Sequence, residues 1–302
     1  MTHNKNVIKK KIVLLFLLSN LYLLCFSQDP ISFMKNTAID KNNRSTISSS
    51  ETASSANQVS SAFDSMEQIG VLELRNYVLK PGRREDFTRL FEEDLVQPQR
   101  ALHGYPLGQY RVKGNDDNFC WFRGFASMQT RSSFLPSFYH GSTWKQYRSE
   151  ANAMIINNDN VHLLRPIVLQ HDSLVPAIGI DRSLLYPGNK IAVVDFYTSN
   201  TKLDQLLKTF SKSYLAILDQ CGIHSYSLWI SELEVNDFPQ LPVFQDKNLL
   251  VAITFYENEL DYAEKMKKVD SKIDKDLRSA LEDAITLKHT MILYPTKKTS
   301  AQ

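Results

Sequence analysis

VLELRNYVLKPGRREDF, Val71 to Phe87, decides the fold. Leu72, Leu74 and Val78 alternate with Glu73, Arg75 and Tyr77, the period of two that marks a strand. Lys80-Pro81-Gly82 turns the chain, because proline fixes φ and glycine permits a positive one. Asp86 then starts a helix in which Phe87, Leu90, Phe91, Leu95 and Leu102 share one face, and His103-Gly104 stops it. KIAVVDFYTSNTKLDQLL, Lys190 to Leu207, repeats that order of strand, turn and amphipathic helix.

Outward from each stretch the elements continue in parallel. After the first come a strand over Leu107 to Val112, a turn through Lys113 to Asn118, a strand over Phe119 to Phe125, a helical region from Phe134 to Asn157 broken near Pro136 and at His140-Gly141, and a strand over Val161 to Leu164 closed by Pro166. After the second come a helix over Leu203 to Gln220, strands over Ile223 to Ser231 and Asn248 to Tyr256 with a long turn between them, a helix over Leu260 to Leu287 and a strand over Met291 to Tyr294. Each half reads βαββαβ, a ferredoxin-like unit whose helices cover one face of its sheet. The other face needs cover as well, because the aromatic groups expected there cost free energy in water. The expected fold class is therefore α+β: tandem ferredoxin-like units packed sheet to sheet within one chain, as an α/β barrel with a partly polar interior.

VLELRNYVLKPGRREDF, FCWFRGF (Phe119 to Phe125), FYHGSTWKQYRSEANAMI (Phe138 to Ile155) and NVHLLRP (Asn160 to Pro166) together resemble the NIPSNAP family, from about Val71 to Pro166. The second half is more divergent. It keeps Tyr197 as the counterpart of Tyr77, but Val193 and Asp195 stand where Glu73 and Arg75 stand. The resemblance implies the dimeric α/β-barrel superfamily, which holds monooxygenases, haem-degrading enzymes, isomerases and members without known chemistry. It implies no settled catalytic residues.

Two constellations could carry chemistry. Glu73, Arg75 and Tyr77 share a strand face, and Trp121 and Arg123 share a face of an adjacent strand. Turned into the barrel, they would offer Arg75 and Arg123 as bidentate donors and Trp121 as a stacking wall. The ligand-binding candidates are thus Arg75, Tyr77, Trp121 and Arg123, for a small anionic or aromatic molecule in the barrel interior; the plainer alternative is an ion-pair network that fills it. For a cofactor-independent monooxygenase or isomerase, the groups able to move a proton would be Glu73, Tyr77 and His162. The second constellation is Tyr139, Trp144, Tyr147 and Arg148 around the helix break, either a lid at the barrel mouth or packing on the sheet. A third role, a protein-interaction module using an outer helix or strand edge, stays open. The histidines lack metal-ligand spacing and no GxSxG, Walker, GxGxxG or CxxC pattern is present. No metal and no cofactor is expected.

The amino terminus gives an expected address. Lys5, Lys9, Lys10 and Lys11 precede the apolar run Ile12 to Leu18, resumed at Leu21 to Leu24, the pattern of an export signal. Cleavage after Ser27 would leave Gln28 first and the protein periplasmic or secreted. Lipidation at Cys25 and a retained anchor are the alternatives. Ser45 to Ala62 is too polar to bury a core and reads as a tether, with Asn43-Arg44-Ser45 as a formal glycosylation sequon. The division is signal 1–27, tether 28–68, first unit 69–167, connection 168–189, second unit 190–296 and tail 297–302. A formal charge of +2 gives no reason to expect nucleic acid as a partner. No segment after the signal is expected to insert in a membrane, and a homo-oligomer is compatible with the sequence. Cys120 and Cys221, without redox or metal spacing, are expected as buried thiols.

Overall fold

The computed structural model describes residues 68–186, 188–199 and 203–296. The expected signal, Cys25, the sequon, the tail and all of the tether except Gln68 lie outside them. Gln68 is no tether: with Ile69 it forms a two-residue ladder against Ile180–Asp181.

Each half supplies four barrel strands. The first contributes β1 (Val71–Leu79), β2 (Tyr105–Val112), β3 (Asn115–Phe125) and β4 (Val161–Gln170). The second contributes β5 (Ile191–Ser199), β6 (Tyr226–Ser231), β7 (Leu249–Tyr256) and β8 (Ile285–Pro295). Within the first half the spatial order is β4-β1-β3-β2, within the second β8-β5-β7-β6, and all pairings are antiparallel. β2 then pairs with β8, and β6 with β4. The edge strand of each half thus meets the last strand of the other, so the sheet closes and its open edges disappear.

Helices cover the outside. In the first half α1 runs from Arg84 to Ala101, with a π-helical turn at Phe91–Leu95. It is followed by α2 (Met128–Tyr139) and α3 (Ser142–Met154). In the second half α4 runs from Leu203 to Gln220 with a π-helical turn at Phe210–Tyr214, followed by α5 (Glu259–Lys272) and α6 (Lys275–Ala284). The two wide turns occur at matching places and set Phe91 against Trp121 and Phe210 against Tyr197.

Several boundaries differ from the sequence reading. The Lys113–Asn118 turn shrinks to Lys113-Gly114, with Gly114 at φ 73, a conformation that costs glycine little. β4 runs through Pro166 to Gln170. Proline is tolerated there because β4 changes neighbours at that point, leaving β1 after Leu164 and taking up Ser173–Pro176 from Ile167. β8 begins at Ile285, inside the expected helix, because Ile-Thr-Leu-Lys-His-Thr pairs along β5. α2 begins at Met128, six residues before the expected start, with the Ser127 hydroxyl accepting from the Thr130 N–H.

The largest correction concerns which face is which. Leu72, Leu74, Tyr110, Cys120 and Phe122 from the first half pack with Val194, Phe196, Trp229, Val251, Ile253 and Leu293 from the second in one buried apolar core, the barrel interior. Glu73, Arg75, Tyr77, Trp121 and Arg123 point the other way, beneath α1 and α2. A period of two shows which residues share a face; it does not show which way that face points. The interior is lined mostly by strands, whose backbone donors are spent in ladders. The helix side has Gln99, Arg131 and Tyr139 to hydrogen-bond buried charge, so the charge resides there.

Candidate functional site

The site is assembled from three elements of the first half. On β1, Glu73 and Arg75 are followed by Tyr77. On the neighbouring β3, Arg123 lies directly opposite Glu73, and Trp121 opposite Arg75. The first turn of α2 adds Arg131. Glu73, Arg75, Arg123 and Arg131 are all fully buried.

Glu73 is the hub. Its Oε2 accepts from Arg75 Nη1 at 2.9 Å and from Arg123 Nε and Nη2 at 2.8 and 2.5 Å. Its Oε1 accepts from Arg131 Nε at 2.7 Å. Three other donor nitrogens find neutral partners. Arg75 Nε donates to Tyr77 Oη at 3.0 Å. Arg123 Nη1 donates to Gln99 Oε1 at 3.1 Å and Tyr139 Oη at 3.5 Å. Arg131 Nη1 donates to Asn236 Oδ1 at 3.0 Å. Aromatic faces line the cations: Arg75 lies over Trp121 at 5.4 Å, and Arg123 over Trp121 and Phe134 at 5.2 and 4.9 Å.

Three guanidiniums surround one carboxylate. Burial pushes the Glu73 carboxyl up, but Arg123, Arg75 and Arg131 outweigh it and hold the group well below the usual carboxylate range. Burial pulls Arg75 down, and Tyr77 and Glu73 reverse that. Burial raises the Tyr77 phenol, against Arg75. Asp237 is a second carboxylate at the cluster, 3.8 Å from Arg131 Nη1 and 48% exposed. Arg75 Nη2, Arg131 Nη2 and the Trp121 indole N–H are buried with no hydrogen-bond partner among the described residues. The arrangement therefore carries surplus positive charge and unspent donors, which suit an anion with a planar body.

The three proton-moving candidates are not brought together. His162 lies on the opposite face of the sheet from Glu73 and Tyr77, paired with Leu74 and in ring contact with Phe196 and Phe244 at 5.0 and 5.3 Å. Burial lowers its pKa to about 4, which leaves a neutral ring whose Nδ1 has no hydrogen-bond partner among the described residues. Glu73 is held too strongly anionic to take up a proton readily.

Around the helix break, Tyr139 reaches Arg123, meets Trp144 edge to face and stacks on Phe238. Tyr147 is half-buried and Arg148 exposed. Tyr139, Trp144 and Tyr147 pack against the first-half core on the helix side of the sheet. Arg131 is the member of the cluster that the sequence reading lacked. Once Ser127 is read as the cap, Arg131, Phe134, Leu135 and Phe138 fall at helical spacing on one face, a guanidinium in an otherwise apolar row. Asn236 had no such signal, since a loop of the other half carries it. Cys120 and Cys221 are buried and free. Among the described residues no helix is long and apolar enough to cross a membrane, and no group of three or more His, Cys, Asp or Glu could hold a metal ion.

Two ferredoxin-like halves that close one antiparallel barrel, with the charged cluster under the helices of the first, define a dimeric α/β barrel built within a single chain. Residues 72–169 match the NIPSNAP family model. This stretch is a NIPSNAP domain, and it forms the first half of the barrel. A NIPSNAP family protein from Agrobacterium tumefaciens str. C58 is similar at 17% identity, covering 33% of this chain and 88% of that one, with a TM-score of 0.31. An anthrone oxidase-like protein is similar at 13% identity, covering 77% and 92%, with a TM-score of 0.47. A novel heme-binding protein from Thermus thermophilus is similar at 13% identity, covering 78% and 94%, with a TM-score of 0.43. No curated protein matches the chain.

Proposed function

We propose that this protein binds a small anionic molecule with a planar or aromatic body at the arginine cluster between the first-half sheet and its helices. The expected ligand class, anionic or aromatic, narrows to one that is anionic with a planar body; its place moves from the barrel interior to the helix side. The observation that carries the reading is the imbalance of three buried guanidiniums against one buried carboxylate, with Arg75 Nη2, Arg131 Nη2 and the Trp121 indole N–H unspent among the described residues. An internal network built for stability alone would be expected to balance its charge. A ligand carboxylate would supply the missing anion and accept those donors, and Trp121 would report its arrival.

The probe is benzoate against benzamide, its uncharged isostere, with the full chain at low salt, followed by calorimetry and tryptophan fluorescence. Benzoate should bind and quench while benzamide does neither. Equal behaviour of the two, or no binding of either, overturns the reading. Export belongs to the same proposal. It is supported by the lysine-flanked apolar run before Ser27 and tested by the amino terminus of the mature chain in its native source. Gln28 there supports export; an intact Met1 overturns it.

A further inference from the structure

We infer that the ligand's carboxylate takes the place of Asp237 on Arg131, and that residues 235–243, from the second half, are the lid beneath which it enters. The inference rests on the anion site proposed above and names its ligand group and its entrance.

The two halves differ in one connection. Between β2 and β3 the chain needs only Lys113-Gly114, whereas between the equivalent β6 and β7 it runs from Glu232 to Asn248. That long connection leaves its own half. It crosses β4, where Glu232 N donates to Leu163 O and Phe244 bridges His162. Phe238, Leu241 and Val243 then pack on the first-half core.

The connection is tied at its ends. Gln245 Nε2 donates to Glu232 O at 2.7 Å and to Glu234 O at 2.6 Å, and Phe244 exchanges backbone hydrogen bonds with β4. Its middle meets the site through side chains: Asn236 and Asp237 on Arg131, and Phe238 stacked 5.9 Å from Tyr139. A segment clamped at both ends and held at its centre by side-chain contacts can lift without breaking a ladder. Where it rests, Asp237 is the charged group of the cluster in contact with water: its carboxylate is half-exposed while every charged partner behind it is sealed. Asp237 therefore serves as the resident anion at the one cation the entering molecule meets first, and a ligand carboxylate competes with it.

The test compares Asp237→Asn with Asp246→Asn, an equal change of net charge on the same connection at an exposed aspartate, in the full chain with benzoate as probe. Asp237→Asn should tighten binding by about fivefold, as expected for releasing a partly screened ion pair, and Asp246→Asn should leave it unchanged. A wild type that binds with no gain in Asp237→Asn, or equal gains in both variants, overturns the lid and leaves the anion site standing. Failure of all three chains to bind, with thermal unfolding showing them folded, removes both.

Discussion

The two halves of the barrel have the same strands and the same register, and opposite chemistry beneath their helices. Offsetting by 120 residues aligns β1 with β5, so Glu73, Arg75 and Tyr77 correspond to Val193, Asp195 and Tyr197. Across the neighbouring strand, Arg123, Trp121 and Phe119 correspond to Thr254, Ala252 and Leu250. In the first turn of the following helix Arg131 corresponds to Tyr262. The first half fills this space with guanidiniums and an indole. The second replaces them with small side chains and phenols, and keeps a pocket with room for about one water molecule, lined by Asp195, Tyr197, Tyr214, Ala252, Thr254 and Tyr256. Asp195 there accepts from Thr290 Oγ1 and lies 3.3 Å from Lys288 Nζ, which is partly exposed. The backbone thus does not demand a buried ion cluster at this place; one half builds it and the other folds without it.

Removing the hub carboxylate should give the largest difference between the halves. Glu73→Gln leaves three buried cations without their counter-charge and should cost about 3–5 kcal/mol, roughly 6–20 °C in Tm for a domain of this size. Asp195→Asn loses contacts at a wetter place and should cost about 1 kcal/mol. Urea midpoints of the two variants decide the matter, and equal losses would end the claim that the halves differ.

The barrel side offers a second contrast. His162 on β4 pairs with Leu74, and its counterpart on β8 is Met291, which pairs with Val194. With a folded pKa of about 4 against an ordinary 6.5, the unfolded chain takes the proton first. The neutral ring's contribution is whole above pH 6.5 and declines as pH falls toward 4, by about 3 kcal/mol in all. Between pH 7 and 5 the wild type should lose about 2 kcal/mol more than His162→Gln. His289, also lowered by burial, remains in both chains and cancels. Identical pH dependence in the two would show that His162 titrates normally. Glu73 acts in the same direction but in a more acidic window. Its depressed pKa makes its stabilisation complete above the ordinary carboxylate range and lost only in stronger acid, so it contributes little between pH 7 and 5.

The smallest contrast is between the two matching tyrosines. Tyr77 accepts from a buried guanidinium, so Tyr77→Phe should cost about 1.5–3 kcal/mol. Tyr197 has a neutral partner in Tyr214, and Tyr197→Phe should cost about 1 kcal/mol. Thermal unfolding of the pair ranks them; the reverse order would show that Arg75 draws little from the phenol.

Much of the fold was legible in the residues, and for particular reasons. The alternation in Val71 to Leu79 and in Ile191 to Ser199 announced two strands of one kind, and Tyr77 and Tyr197 marked their register. The site was half legible. Glu73, Arg75, Tyr77, Trp121 and Arg123 do meet, because neighbouring strands bring them opposite one another. His162 belongs elsewhere, since its alternation places it with Leu74 on the other face. Arg131 was hidden by a helix start read too late.

Local pattern, by itself, determined the βαββαβ order of each half, its repetition and which side chains share a strand face, because those follow from the period of strands and helices. Only the tertiary structure decided which face turns inward and which helix and loop supply a buried charge with partners. Both depend on contacts between residues far apart in the chain: Arg131 reaches Glu73 across 58 positions, and Asn236 reaches Arg131 across 105. No periodicity within a single segment encodes a pairing of that separation.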